Sequence, residues 1–400
     1  MEDIAFFIFF LLAINNMGLK GYNNFYKDYL DLKHTSSVRG IFVMLIFFYY
    51  HNKFKSNTKK YYNEYIIGII EQRLSSLFFF YSGYGIYESM KTKNKYAKYL
   101  PKKALVIFIE VVISIMLYLI RNSFINMYDK DLTFKKLFLS IILKASLGNS
   151  YWFSYTIILY YLYASLSFIF INDKKYYFIG AISLIILVIL HFFFTYFLYQ
   201  YKLLYFVDNI LPFILGIVYT FIRKYTDRFF MFIDFIYYGF LSSFIILLYL
   251  LYAHAGNSVL INNLTNGTFV IVILLITMKV RFENDFLKFL NEHSYSMYLL
   301  QNLVFQIFRK KNLFKVHEFI RIFIEFLFII LLCTTFDFIK PYFINKYIKR
   351  EDNNDRTENS EDSSIGDSRD KISETEIKEI KEIKETKEIK SIPNELNINN

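Results

Sequence analysis

The sequence predicts an all-α, polytopic transmembrane helical bundle of about ten or eleven spans, on three observations. Of the 400 residues, 55% are hydrophobic and 21% aromatic, with only 4 Pro and 13 Gly to interrupt them. Mean hydropathy is +0.30 although a strongly polar final segment is averaged in. The apolar residues also fall into long unbroken runs, where a soluble chain of this length would show helices with one polar face.

A helix needs about 20 residues to cross a bilayer, and fewer where polar ends reach back to the interface. Runs of this kind lie near 4–17, 38–54, 74–88, 104–120, 151–171, 176–196, 208–222, 229–253, 267–280, 294–308 and 319–342. The first, "MEDIAFFIFFLLAI", has neither the basic leader nor the small-residue cleavage site of a secretory signal, so it reads as a retained span. The second, "VRGIFVMLIFFYYHNKF" (38–54), carries an arginine near its start and a histidine near its end. The third and fourth flank "ESMKTKNKYAKYLPKK" (88–103), which has six lysines. Residues 134–147, "FKKLFLSIILKASL", are amphipathic and expected along the interface or re-entrant. Further loops are "NDKK" (172–175), "RKYTDR" (223–228), "HAGNSVLINNLTNG" (254–267) and "RKKNLFK" (309–315).

Loop charge orients such a bundle, because cytoplasmic loops hold an excess of Lys and Arg. Loops 88–103, 172–175 and 223–228 therefore belong in the cytoplasm, and 254–267, with no Lys or Arg, outside. The N-terminus then lies outside and the tail inside, while the basic stretches 51–73 and 309–315 run against the bias. From 351 to 400 there are 8 Lys and Arg against 15 Asp and Glu, which leaves +18 on residues 1–350. The repeat "EIKEIKEIKETKEIK" (376–390) places isoleucine every third residue, a spacing that drifts around a helix and builds no stripe. Two parts follow: a membrane domain, 1–350, and a disordered charged cytoplasmic tail, 351–400. The basic domain suits a lipid bilayer and an anionic small partner. It does not suit nucleic acid, since its lysines sit in short loops. A single cysteine, Cys333, excludes a disulfide framework and a Cys-rich metal site, and no metal is expected. Gly-x-Ser-x-Gly, His-Glu-x-x-His and P-loop patterns do not occur.

Ionisable residues inside hydrocarbon are costly and usually functional. Arg39 and His51 stand about 18 Å apart along a straight helix and cannot touch. Arg39 belongs near the cytoplasmic surface, where it holds a phosphate or anchors the helix. His51 lies deeper, either as a base that takes a proton from a hydroxyl near neutral pH or as an interfacial histidine beside Asn52 and Lys53.

Six segments resemble, in order, those of the membrane-bound acyltransferase 3 family, and together they cover most of residues 20–345. They are "VRGIFVMLIFFYYHNKF" (38–54), "LFFFYSGYGIYES" (77–89), "YLPKKALVIF" (99–108), "YWFSYTIILYYL" (151–162), "LPFILGIVY" (211–219) and "HSYSMYLLQN" (293–302). The resemblance implies a multi-pass enzyme of the cell membrane, an O-acyltransferase. It would move an acetyl or other short acyl group from acyl-CoA, a donor substrate and not a bound cofactor, to a hydroxyl of a carbohydrate or lipid-linked acceptor. Carried onto this chain, it implies His51, or Tyr50 in its register, as the catalytic base. It implies Arg39, Lys102, Lys103, Ser82 and Gly83 against the donor, and Trp152, Tyr295, Tyr298 and Gln301 against the acceptor. Helix starts, interface anchoring and small-residue packing are the competing structural readings of Ser82, Gly83, Trp152, Tyr295 and Tyr298.

The chain departs from the family pattern at three points. Eleven residues separate Arg39 from His51 where the family has ten, which puts Tyr50 at the expected position and turns His51 by about 100° unless a π-bulge restores it. The Arg-x-x-Arg of the basic segment is missing, with Lys102 and Lys103 remaining and Val106 in place of the second arginine. Many members also have His where this chain has Gln301. The first two departures favour an alternative, a non-enzymatic transporter or flippase for a polysaccharide or lipid intermediate.

Overall fold

Among the described residues each of the eleven apolar runs is helical over most of its length, the conformation in which a backbone satisfies its N–H and C=O groups within itself. The computed structural model describes residues 2–54, 62–93, 95–124, 151–171, 173–199, 209–231, 234–254, 258–310 and 317–348. Its helices are α1 (Glu2–Ile14), α2 (Leu32–Phe54), α3 (Tyr62–Thr92), α4 (Tyr96–Phe124), α5 (Tyr151–Phe168), α6 (Tyr177–Tyr199), α7 (Ile210–Phe230) and α8 (Asp234–Ala253). They continue as α9 (Val259–Lys279), the short α10 (Asp285–Glu292), α11 (Ser294–Lys310) and α12 (Glu318–Ile348). The all-α expectation holds, and among the described residues five helices (α4, α6, α8, α9 and α12) are long and apolar enough to cross a membrane. The proposed interfacial segment 134–147 and the tail 351–400 lie outside the described residues. The chain divides into units Met1–Lys340 and Pro341–Asn400, and the apolar cores lie in the first.

Three such cores hold the bundle. One, around Phe47, Phe305 and Phe326, joins α1, α2, α4, α10, α11 and α12. A second, around Phe79, Tyr160 and Phe213, joins α3 to α7. The third, around Leu77, Tyr237 and Leu274, joins α2, α3, α8 and α9. Glycine sets the α3–α7 crossing: a Cβ on Gly83 would lie 2.3 Å from the Phe213 carbonyl oxygen, and one on Gly216 2.2 Å from that of Phe80. Only residues without a side chain let two helix backbones approach so closely.

Two features depart from the sequence reading. The stretch 254–267, read as an external loop, is helical from Val259 onward. Asn263 and Asn266 are polar enough to suggest a loop, yet they hydrogen-bond inside the bundle. Asn263 Oδ1 accepts from the Leu211 N–H at 3.1 Å, and Asn266 Nδ2 donates to Asn209 Oδ1 at 3.1 Å. Such pairing removes most of the cost of burying an amide. The second departure is a two-stranded antiparallel ladder, β1 (Met17–Leu19) with β2 (Val280–Phe282). Beside it Lys279 Nζ donates to Asp234 Oδ1 at 2.6 Å and to the Gly21 carbonyl at 3.1 Å, with both charged side chains nearly buried. This clip ties the segment after α1 to the end of α9.

Candidate active site

Between the cores lies a cavity of about 590 Å³, a size typical of small-molecule sites. Its wall is made of helix stripes at three- and four-residue spacing, since such residues share one face. Thr35, Arg39, Val43 and Ile46 come from α2, and Phe78, Tyr81, Ser82, Gly85 and Ser89 from α3. Ser294, Tyr295, Met297, Tyr298 and Gln301 come from α11, with Glu110 of α4, Tyr161 of α5 and Lys340 of α12 completing it.

Two cations face this space, in opposite electrostatic states. Lys340 Nζ is bracketed by Glu110 Oε1 at 3.2 Å and Asp337 Oδ1 at 2.8 Å. Asp337 in turn accepts from Ser296 and is paired with His293. Arg39 donates from Nε to the Thr35 carbonyl at 3.3 Å and lies 5.7 Å from the centre of the Tyr81 ring. Among the described residues no carboxylate pairs with it. An uncompensated guanidinium lining a cavity favours an anion, and phosphate most of all, because its fork matches two oxygens.

The sequence-predicted site residues divide in the structure. Arg39, Ser82, Tyr295, Tyr298 and Gln301 line the one cavity. Tyr295 Oη is hydrogen-bonded to Ser154 at 2.9 Å, and the Tyr298 ring packs 5.0 Å from that of Phe153. Lys103 stands outside the wall but donates to Tyr96 Oη at 2.8 Å, and Tyr96 lines it. Lys102 lies over the Tyr99 ring at 5.6 Å and does not line the cavity. Gly83 does not line it either: the close backbone approach read there as room for the donor is taken by α7. Trp152 packs on Phe79 and Phe153 in the second core, which is the structural reading of that residue.

His51 and Tyr50 are not part of the cavity wall. The α2 helix is regular from Leu32 to Phe54, with no π-bulge to absorb the extra residue after Arg39. His51 nevertheless faces protein and is 0% exposed. Its Nδ1 lies 2.7 Å from Glu325 Oε2, and its Nε2 3.5 Å from Glu318 Oε1, both on α12. Glu318 also pairs with Arg321 at 3.1 Å. A carboxylate on Nδ1 keeps a proton there, and Nε2 also faces a carboxylate oxygen, so both ring nitrogens point at acceptors. Tyr50 is half-buried between the first and third cores, against Tyr49. The cavity closes one helical turn short of this pair: Ile46 and Gln301 line it, and Phe305, four residues beyond Gln301, lies 6.2 Å from the His51 ring.

Glu325, Glu110, Asp337 and Lys340 are site residues that sequence reasoning missed. Each is a charge within a run that otherwise reads as a span, and that cost was the signal they carried. A family model described as Acyltransferase domain, of the acyltransferase 3 type, matches residues 27–338. No curated protein and no solved structure shows significant similarity to the chain. With more than three quarters of its length under that one model and its long apolar helices, the chain is an integral membrane protein that belongs to the acyltransferase 3 family.

Proposed function

We propose that the protein is a membrane O-acyltransferase of ten or eleven spans, taking an acetyl or other short acyl group from acyl-CoA to a hydroxyl of a carbohydrate or lipid-linked acceptor. The observation that carries this reading is the unneutralised Arg39 in a cavity whose deep end approaches a carboxylate-held histidine. Arg39 binds the donor's phosphates, helped at the rim by Lys103 beside Tyr96, with Lys102 adding charge to the same face. Ser82 flanks the acyl arm, and Tyr295 and Tyr298 offer hydroxyls to the acceptor. The basic loops and residues 351–400 lie on the cytoplasmic side of the cell membrane, where acyl-CoA is made.

In the reaction, His51 Nε2, released from its 3.5 Å contact with Glu318, takes the proton of the acceptor hydroxyl as its oxygen attacks the thioester carbonyl. The tetrahedral intermediate collapses, the C–S bond breaks, and the proton passes from the imidazolium to the departing thiolate. Glu325 is a positioning residue that fixes the tautomer. A placed base contributes about 10²–10⁴-fold. Labelled acetyl-CoA supplied to membranes holding wild type, His51→Ala or Glu325→Gln tests this, with transfer expected to fall by that order in both variants. Wild-type transfer from His51→Ala would remove the base. The position of His51 one turn beyond the cavity wall favours a second reading, a transporter or flippase that moves its cargo without chemistry. Wild-type membranes that incorporate no label would support it.

A further inference from the structure

The amide of Gln301 has no structural employment. The side chain is 1% exposed, and among the described residues neither Nε2 nor Oε1 has a hydrogen-bond partner. A carboxamide buried in this state destabilises a fold, and one that persists calls for a functional account. Gln301 lies on the α11 stripe that lines the cavity with Ser294 and Tyr298, and the next residue on that stripe, Phe305, stands against His51. The amide therefore lies in the cavity wall one helical turn before the residue that meets the imidazole. A base that deprotonates an attacking hydroxyl must have the carbonyl carbon just beyond that hydroxyl, a few ångströms away.

We infer that Gln301 is a catalytic residue: its Nε2–H donates to the thioester carbonyl oxygen and holds the oxyanion that forms there. The inference rests on the acyl-transfer reading and deepens it. The acceptor oxygen adds to the carbonyl carbon, the C=O pair moves onto oxygen, and that negative charge meets an N–H already in place. No proton moves to or from Gln301. Tyr81 Oη is also buried and unpartnered among the described residues, but it stands beside Arg39, at the end assigned to the phosphates. Ser82 lines the cavity from α3, whereas the stripe that runs on to the His51 ring belongs to α11, so the oxyanion role falls to Gln301.

The test measures kcat and the acetyl-CoA KM of purified full-length protein with Gln301→Leu and Gln301→Met, alongside the thermal midpoint. Losing one oxyanion donor costs about 10²–10³-fold in kcat, and KM is expected to change less than about threefold, since the carbonyl gains its charge only in the transition state. Gln301→Leu also removes two unpartnered polar atoms, so its midpoint is expected to stay level or rise. This combination of lost rate and kept stability is one a merely structural glutamine would not give. Retained kcat in either variant overturns the inference, and so does a raised KM at constant kcat. If the leucine variant fails to fold, Gln301→Met, similar in length and without a donor, decides on the same criteria. Wild type that transfers no acyl group removes the underlying reading, an outcome distinct from wild type that transfers and a leucine variant that transfers equally well.

Discussion

Gly83→Ala separates packing from substrate contact at the α3–α7 crossing. The added Cβ would meet the Phe213 carbonyl oxygen at 2.3 Å, where ordinary contact begins at 3.4 Å. That oxygen belongs to the hydrogen-bond ladder of α7 and cannot swing aside, so the two helices must part by about 1 Å. The reciprocal glycine, Gly216, offers no slack, since its own face already meets Phe80. Overpacking of this kind costs about 1–3 kcal/mol. At about 2–4 °C per kcal/mol for a large domain, the thermal midpoint should fall by about 2–12 °C. The single tryptophan, Trp152, lies 6.2 Å from Phe79 on α3, so its fluorescence during heating of detergent-purified protein reports on this crossing. Below the midpoint the acetyl-CoA KM should stay within about threefold of wild type, because α7 and not a ligand occupies the glycine face. An unchanged midpoint together with a raised KM would refute the reasoning and return Gly83 to the donor site.

Two further perturbations concern the charges. Arg39→Ala should raise the acetyl-CoA KM by about 10–100-fold, the worth of a charge-assisted phosphate contact, with Arg39→Lys intermediate; equal KM values for all three proteins would show that the guanidinium meets no phosphate. Lys279→Met leaves Asp234 with the Asn23 N–H but no cation and should cost about 1.5–3 kcal/mol, read as an earlier denaturation midpoint. Adding Asp234→Asn should recover part of it, and a double variant worse than the single one would mean the pair is not a unit.

Helices were legible in this sequence because hydrocarbon allows few other backbones, and so were the residues whose chemistry is conspicuous in an apolar run, Arg39 and His51. What could not be read was partnership across the chain. Glu325 lies 274 positions from His51, and nothing local to either residue ties one to the other. Gly83 fits a tight helix crossing and a close ligand approach equally well, and only the backbone of α7 decides between them. The asparagines of 262–266 read as a loop because their partners, Asn209 and the Leu211 N–H, sit elsewhere in the chain. The three residues of β1 are too few for alternation to register. Position along the cavity was likewise invisible: Lys102 was assigned to the donor and Gln301 to the acceptor, and of the two only Gln301 lines the space.

The β1–β2 clip bears on how the protein is made. Met17 leaves the ribosome about 260 residues before Phe282, its ladder partner, which at about 5–20 residues per second is a delay of about 13–50 s. Asn284, whose amide caps the Leu12 and Asn15 carbonyls at the end of α1, arrives later still. During that interval the first helix lacks this fastening, although its Phe6 and Phe9 can already meet Phe48 of α2. Synthesis halted anywhere before β2 therefore leaves a chain whose leading segment has no ladder partner.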